Sequence, residues 1–198
     1  GKVANMVFYN LNGQEVVRSL SDKKKIKSKK FLASNQSIRI LMQFFSKIKP
    51  FIKAGYKNEA LGTIYNFHNL ATSYNKIHAI DIIDDVPRLN YERVLLSRGT
   101  ALQPENPRVV QDELGLLFSW DINPELPWMT NQDQVMMLAW FPEIGEAIFN
   151  EAGATRSRGF DQLALPPSFR TLQMETYIAF SALNRESVSN SIYLGRLN

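Results

Sequence analysis

The hydrophobic pattern of this chain changes period once, at Pro104-Glu105-Asn106-Pro107. That change constrains the fold more than any other feature. Upstream, apolar residues recur at helical spacing; downstream, they alternate or gather in short β-rich blocks bounded by turn residues. Helices followed by a run of strands are the signature of an α+β protein. The 198 residues suffice for one large or two small domains. The period change sets the expected boundary, with a head over 1–100 and a β-rich part over 104–198.

The head opens with an expected β-hairpin. Val3–Asn10 and Gln14–Arg18 are β-rich and flank Leu11-Asn12-Gly13, and Asn-Gly is a strong hairpin signal. A lone hairpin is marginal in water. This one is therefore expected to dock, with Val7 and Tyr9 as protein-interface residues. A pair of helices should follow. The first carries Phe31, Ile38, Leu41, Phe45, Ile48 and Ile52 on one stripe; Pro50 should end or kink it, and Gly55 should break it. The second is expected over Asn58–Ile77, capped by Asn58, with Ile64, Phe67, Ala71, Tyr74 and Ile77 on its apolar face. Asp81–Pro87 reads as an acidic loop and Val94–Leu96 as a short strand before Ser97-Arg98-Gly99.

Beyond the boundary seven strands are expected: Arg108–Gln111, Leu114–Ile122, Gln134–Phe141, Glu146–Asn150, Phe160–Leu165, Met174–Leu183 and Val188–Leu194. Leu116, Phe118, Trp120 and Ile122 alternate toward one face. Gln134–Phe141 is apolar on both faces, as a covered strand is. Seven short strands at this spacing predict an immunoglobulin-like β-sandwich. Pro107-Arg108-Val109 through Leu117-Phe118-Ser119-Trp120 resembles the first two strands of fibronectin type III modules, where a proline opens the module and a tryptophan plugs the core. Ile178–Asn184 resembles their sixth strand, with Tyr177 one residue out of register with the tyrosine usual there.

Charge is as uneven as hydrophobicity. Residues 1–60 hold 13 Lys and Arg against 3 Asp and Glu, and residues 61–198 hold 10 against 16, so a +10 end precedes a −6 body. Lys23, Lys24, Lys25, Lys27, Lys29 and Lys30 fall within eight residues. Two readings stand side by side. The run is a solvated linker, or it meets an anion, either nucleic acid or an acidic protein surface. Phe31 is the one aromatic adjoining it, and no zinc finger or RNA-binding strand motif accompanies it.

Catalytic chemistry finds little footing. The absence of cysteine excludes disulfides, thiolate zinc sites, iron–sulfur clusters and cysteine nucleophiles. His68 and His78 are ten residues apart, not the i, i+4 pair of a helical metal site, and His68 reads as a packing residue. Asp81, Asp84 and Asp85 lack the spacing of a calcium loop. No nucleophile elbow, Walker loop or dinucleotide fingerprint occurs. Ser157, between Arg156 and Arg158, reads as part of a polar inter-strand loop, and Met136, Met137 and Trp140 as core. The expectations are no enzyme, no metal, no cofactor and no membrane span. Trp128, held between Pro127 and Met129, is the expected exposed anchor for a protein partner.

Several blocks occur in an order similar to that of an uncharacterised family of Bacteroidota proteins, known only as a domain of unknown function (number 6266). They are Gly1-Lys2-Val3-Ala4-Asn5, Gly13 to Val17-Arg18-Ser19, and Leu95-Leu96-Ser97-Arg98-Gly99, then Gly153-Ala154-Thr155-Arg156-Ser157, Tyr177-Ile178-Ala179-Phe180 and Asn190 to Gly195. Ala4 stands where members more often have glycine, and members usually carry about fifteen more N-terminal residues. The resemblance implies a shared lineage and fold, and no reaction. The expected function is a non-enzymatic structural or assembly protein that self-associates through its hairpin edge, in a phage-like particle or another multimeric assembly. The alternative is a protein that grips nucleic-acid phosphate through its lysine run. Compartment stays open, cytoplasmic or within an assembled particle.

Overall fold

The computed structural model describes residues 1–11, 13–20 and 28–198, with Lys2 described by its backbone alone. By its contacts the chain forms two compact units, Gly1–Leu32 and Ala33–Asn198.

The first unit is a three-stranded antiparallel sheet in the order β1 (Lys2–Val3), β2 (Met6–Leu11), β3 (Gln14–Ser19). Leu11 pairs with Gln14, and the Gly13 N–H donates to Asn10 Oδ1 at 2.8 Å, so the expected hairpin forms. The run read as one strand over Val3–Asn10 is two. The chain doubles back at Ala4-Asn5, and Val3 pairs with Met6. Ala4 holds φ +49° there, a left-handed conformation that suits glycine.

Helix α1 (Lys29–Lys47) spans the division between the units, and α2 (Lys49–Ala60) follows after a break at Ile48. Pro50 sits in the first turn of α2, where its missing N–H costs nothing. Gly55 does not break this helix. It is buried at its middle, and an added Cβ would lie 2.4 Å from the Leu96 carbonyl oxygen. The glycine therefore serves close approach, and the Arg98 N–H donates to the Gly55 carbonyl at 3.0 Å. The helix expected over Asn58–Ile77 is also divided. Residues 61–66 are irregular, with Gly62 at φ +74°, and α3 (Phe67–His78) starts afresh on Asn66, whose side chain accepts from the Asn69 N–H. Ile64 and Ile77 are consequently exposed.

Residues 81–87 are not a loop. They lie in a hairpin of β4 (Ile80–Ile83) and β5 (Val86–Leu89), turned by Asp84 and Asp85, both at positive φ. Positive φ at both central residues is the type I′ pattern, which aspartate tolerates.

Seven strands occupy the remainder: β6 (Glu105–Gln111), β7 (Gly115–Asp121), β8 (Gln134–Phe141), β9 (Glu146–Asn150), β10 (Phe160–Ala164), β11 (Met174–Ser181) and β12 (Ile192–Leu197). A short helix, α4 (Trp128–Asn131), precedes β8. The strands form two antiparallel sheets, ordered β10-β7-β6 and β12-β11-β8-β9. One apolar cluster joins the two sheets through Leu116, Phe118 and Trp120 of β7 and Val135, Met137, Ile178 and Phe180 of β8 and β11. A second joins the opposite face of the four-stranded sheet, through Met136, Leu138, Trp140 and Tyr177, to Leu41, Phe45, Phe51 and Ile52 of the helices. β8 and β11 are thus covered on both sides, which explains their unbroken apolar sequence.

Two strand expectations need correction. Ile122 lies past the end of β7 and is exposed. The last strand starts at Ile192 rather than Val188: Val188 makes only an isolated bridge to Ser181 and the Ser189 N–H donates to the Phe180 carbonyl, while other groups of 188–191 bond the segment 96–101. The Ala101 N–H donates to the Val188 carbonyl, the Leu96 N–H to Ser191 Oγ, and Ser97 Oγ to the Ser189 carbonyl. Val94–Leu96, expected as a strand, is irregular and held by these bonds and by Asn75, whose side chain both donates to and accepts from the Leu95 backbone at 2.8 Å.

Candidate interaction surfaces

The N-terminal sheet has two apolar faces. Strand alternation puts Val7, Tyr9, Leu11 and Val16 on one, and Val3, Met6, Phe8 and Val17 on the other. The first face contains both expected interface residues, Val7 half-buried and Tyr9 42 % exposed. The second was not foreseen, though Val3, Met6, Phe8 and Val17 are all exposed. Among the described residues of 1–32 none is buried. The unit presents large apolar side chains without a core of its own.

Of the lysine run, Lys23, Lys24, Lys25 and Lys27 lie outside the described residues. Lys29 and Lys30 form the first turn of α1, which contains no acidic residue. A helix N-terminus carries partial positive charge, so cations there are disfavoured and an anion is favoured.

Trp128 opens α4 and is 68 % exposed, as expected of an anchor. Its neighbour Met129 is also exposed. Met129 shares a cleft of about 320 Å³ with Leu102 and Leu183, two further exposed apolar residues. The structure does not bring Trp128 into one unit with Val7 and Tyr9.

Several groups that look polar and superficial in the sequence are buried pins. Arg156 lies in the loop between β9 and β10, yet its side chain is 3 % exposed. Its guanidinium donates to the Leu102 carbonyl at 2.6 Å, the Gln103 carbonyl at 3.2 Å and Asp133 at 3.3 Å, and stacks 3.8 Å over the Phe180 ring. Burial pushes the Asp133 carboxyl up, opposed by the Arg156 charge. Glu175 is fully buried. It accepts from Tyr193 Oη at 2.6 Å and from two nitrogens of Arg196 at 2.6 and 2.8 Å. Burial, with Glu175 beside it, pushes the Tyr193 hydroxyl well above its usual range. These groups fix loops and the end of β12.

The two histidines have different ring neighbours, Phe45 and Phe67 for His68 and Tyr74 for His78. His68 is half-buried, with its ring edge-on to Phe45 and Phe67, and burial, then the Lys49 charge, lowers its pKa. Asp81 does not join Asp84 and Asp85 in a cluster; it pairs with Arg93 and Asn90. Among the described residues no three metal-ligating side chains come together, and no helix is long and apolar enough to cross a membrane. Ser157 is exposed and its hydroxyl hydrogen-bonds that of Thr155, as in a polar loop.

A cleft of about 470 Å³ lies between the end of α2 and the turn after β11. Arg98 pairs there with Glu59 at 3.0 Å, while Glu59 Oε2 is buried without a hydrogen-bond partner. The sequence held no sign of this cleft, since Glu59, Arg98 and Glu186 are far apart along the chain.

Compared with known proteins, the chain matches one family model over residues 1–195, described as a family of unknown function (DUF6266). No curated protein matches it. No solved structure matches it.

Proposed function

The chain belongs to the DUF6266 family, which carries no assigned activity, and from that premise we propose that it is a non-enzymatic structural protein of a multimeric assembly. The observation that carries this reading is the N-terminal sheet. Three strands with apolar side chains on both faces and no buried residue have little stability alone. They gain it by docking, through a face or through the free edge of β3. Trp128, with Met129 beside it, supplies a second exposed apolar contact. A phage-like particle is one setting for such a subunit.

A fibronectin type III-like sandwich and a Bacteroidota origin belong to the same reading. The two sheet orders, and Trp120 plugging the core between them, support the former. Tyr177 departs from that pattern, because it faces the helices and donates to the Tyr91 carbonyl.

Light scattering on the full-length protein at tens of micromolar tests the assembly reading. Discrete oligomers that dissociate on Phe8→Asp support it. A strict monomer at every concentration and salt overturns it.

The second reading is nucleic-acid association through the lysine run. What favours it is Lys29 and Lys30 in the first turn of α1, where the helix N-terminus adds its partial positive charge to theirs. Retention on DNA that survives neutralisation of Lys23–Lys30 would remove it.

A further inference from the structure

A concentration of positive charge survives in the otherwise acidic second unit. Lys49, Lys53 and Lys57 recur every four residues along α2 and so share one side of the helix. Like charges at this spacing repel. Residues 33–198 hold 15 Lys and Arg against 17 Asp and Glu, yet among the described residues none forms an ion pair with Lys53 or Lys57.

These two lysines border a pocket of about 420 Å³. Its opposite wall is the turn after β11, which brings in Arg185, and the β9 end, which brings in Glu151. Arg185 is held firmly. It occupies a turn at φ +61°, its N–H donates to the Ala182 carbonyl, and the Asn58 side chain of α2 donates to the Arg185 carbonyl at 3.2 Å. Its guanidinium donates to the Glu151 carbonyl at 3.3 Å and to Gln134 Oε1. Those bonds use two of its five N–H groups and leave three to offer. Three cations thus face one carboxylate around a cavity roomy enough for a phosphate and the group that bears it.

We propose that this pocket between α2 and the turn after β11 binds a phosphate group, with Arg185 as the oriented donor and Lys53 and Lys57 as neutralising charges. The chemistry follows from the residue types. A guanidinium fixed at one edge presents a planar fork suited to two phosphate oxygens, and lysines act as adaptable point charges beside it. The net of two positive charges matches a phosphate monoester dianion. Two sources share this chemistry, a small phosphoester and the phosphate backbone of a nucleic acid.

The test uses the full chain and two probes, inorganic phosphate by calorimetry and a labelled oligothymidylate by fluorescence anisotropy. The expected result is a loss of about tenfold or more in affinity for the bound probe in Lys53→Gln/Lys57→Gln, a change of 1.4 kcal/mol. Arg185→Gln should reproduce it. Arg88→Gln/Arg108→Gln removes the same charge from exposed strand positions and should leave affinity unchanged. Phosphate binding alone assigns a small phosphoester. Oligonucleotide binding whose salt slope falls by about two in the lysine double variant assigns a backbone. Either supports the site. Absence of binding to both probes overturns it, as does equal weakening by the two double variants. The exposed lysines make misfolding of their variant a minor concern, and its melting curve checks that point. Oligomeric state is read separately, so the assembly proposal stands or falls independently.

Discussion

The two units of this molecule solve the same problem in opposite ways. Residues 33–198 bury both faces of one sheet, against helices on one side and a second sheet on the other, and fill two apolar clusters. Residues 1–32 make regular strands with good register yet bury nothing among their described residues. Hydrogen-bonded regularity is therefore not what makes a unit self-sufficient. Burial is, at roughly 25 cal/mol for each Å² of apolar surface removed from water, and the described residues of the first unit have none of it.

Matched truncations put the largest strain on this contrast. Phe180→Ala, which empties a ring set edge-on to Trp120 at 5.2 Å, should cost about 3–5 kcal/mol in urea unfolding. Phe8→Ala should cost no more than about 0.5 kcal/mol in the monomer, as surface changes do, while weakening self-association. An equal cost at the two positions would end the comparison.

Arg156→Met comes next. It leaves Asp133 buried without its cation and two carbonyls without donors, for a loss of about 3 kcal/mol at neutral pH. The sign with pH is specific. Burial already raises the Asp133 carboxyl above its unfolded value, and removing the arginine raises it further. The folded state then binds the extra proton, so the variant regains stability as pH falls through that raised value toward the unfolded one. Melting temperatures of the variant and its parent, compared from pH 7 down to 5, should converge.

Gly55→Ala should cost about 1–3 kcal/mol, because its Cβ must displace the backbone at Leu96 and Ser97. Ala4→Gly is the smallest change and the only gain. It relieves a left-handed alanine in the β1–β2 turn, up to about 1 kcal/mol, and slower amide exchange at Phe8 and Leu20 would register it. A gain visible in global unfolding as well would show that the two units melt together.

The strands were legible because alternation and turn residues are local signals. Leu116, Phe118 and Trp120 face the core as their spacing requires. The helix break at 61–66 was less so, since apolar spacing continues through Ile64 while Gly62 and the Asn66 cap interrupt it. The type I′ turn at Asp84-Asp85 lacked the usual glycine. Arg156 looked like loop polarity, because nothing near it in sequence announces Leu102, Gln103 or Asp133 as partners. The exposure of Trp128 could be read, since Pro127 directly before it confines the chain locally. The pocket of Lys53, Lys57 and Arg185 could not, because only the folded chain brings a helix and a distant turn to one place.

The bonds that tie the Leu96–Ala101 segment to Val188–Ser191 also set a schedule. Leu96 finds Ser191, 95 residues further along the chain. A ribosome adding about 5–20 residues per second therefore makes Leu96 roughly 5–20 s before its partner exists. Through that interval the Leu96–Ser97 segment that packs on Gly55 lacks its bonds to Ser189 and Ser191. Closure of this contact waits for Ser191, although Leu96 is made 95 residues earlier.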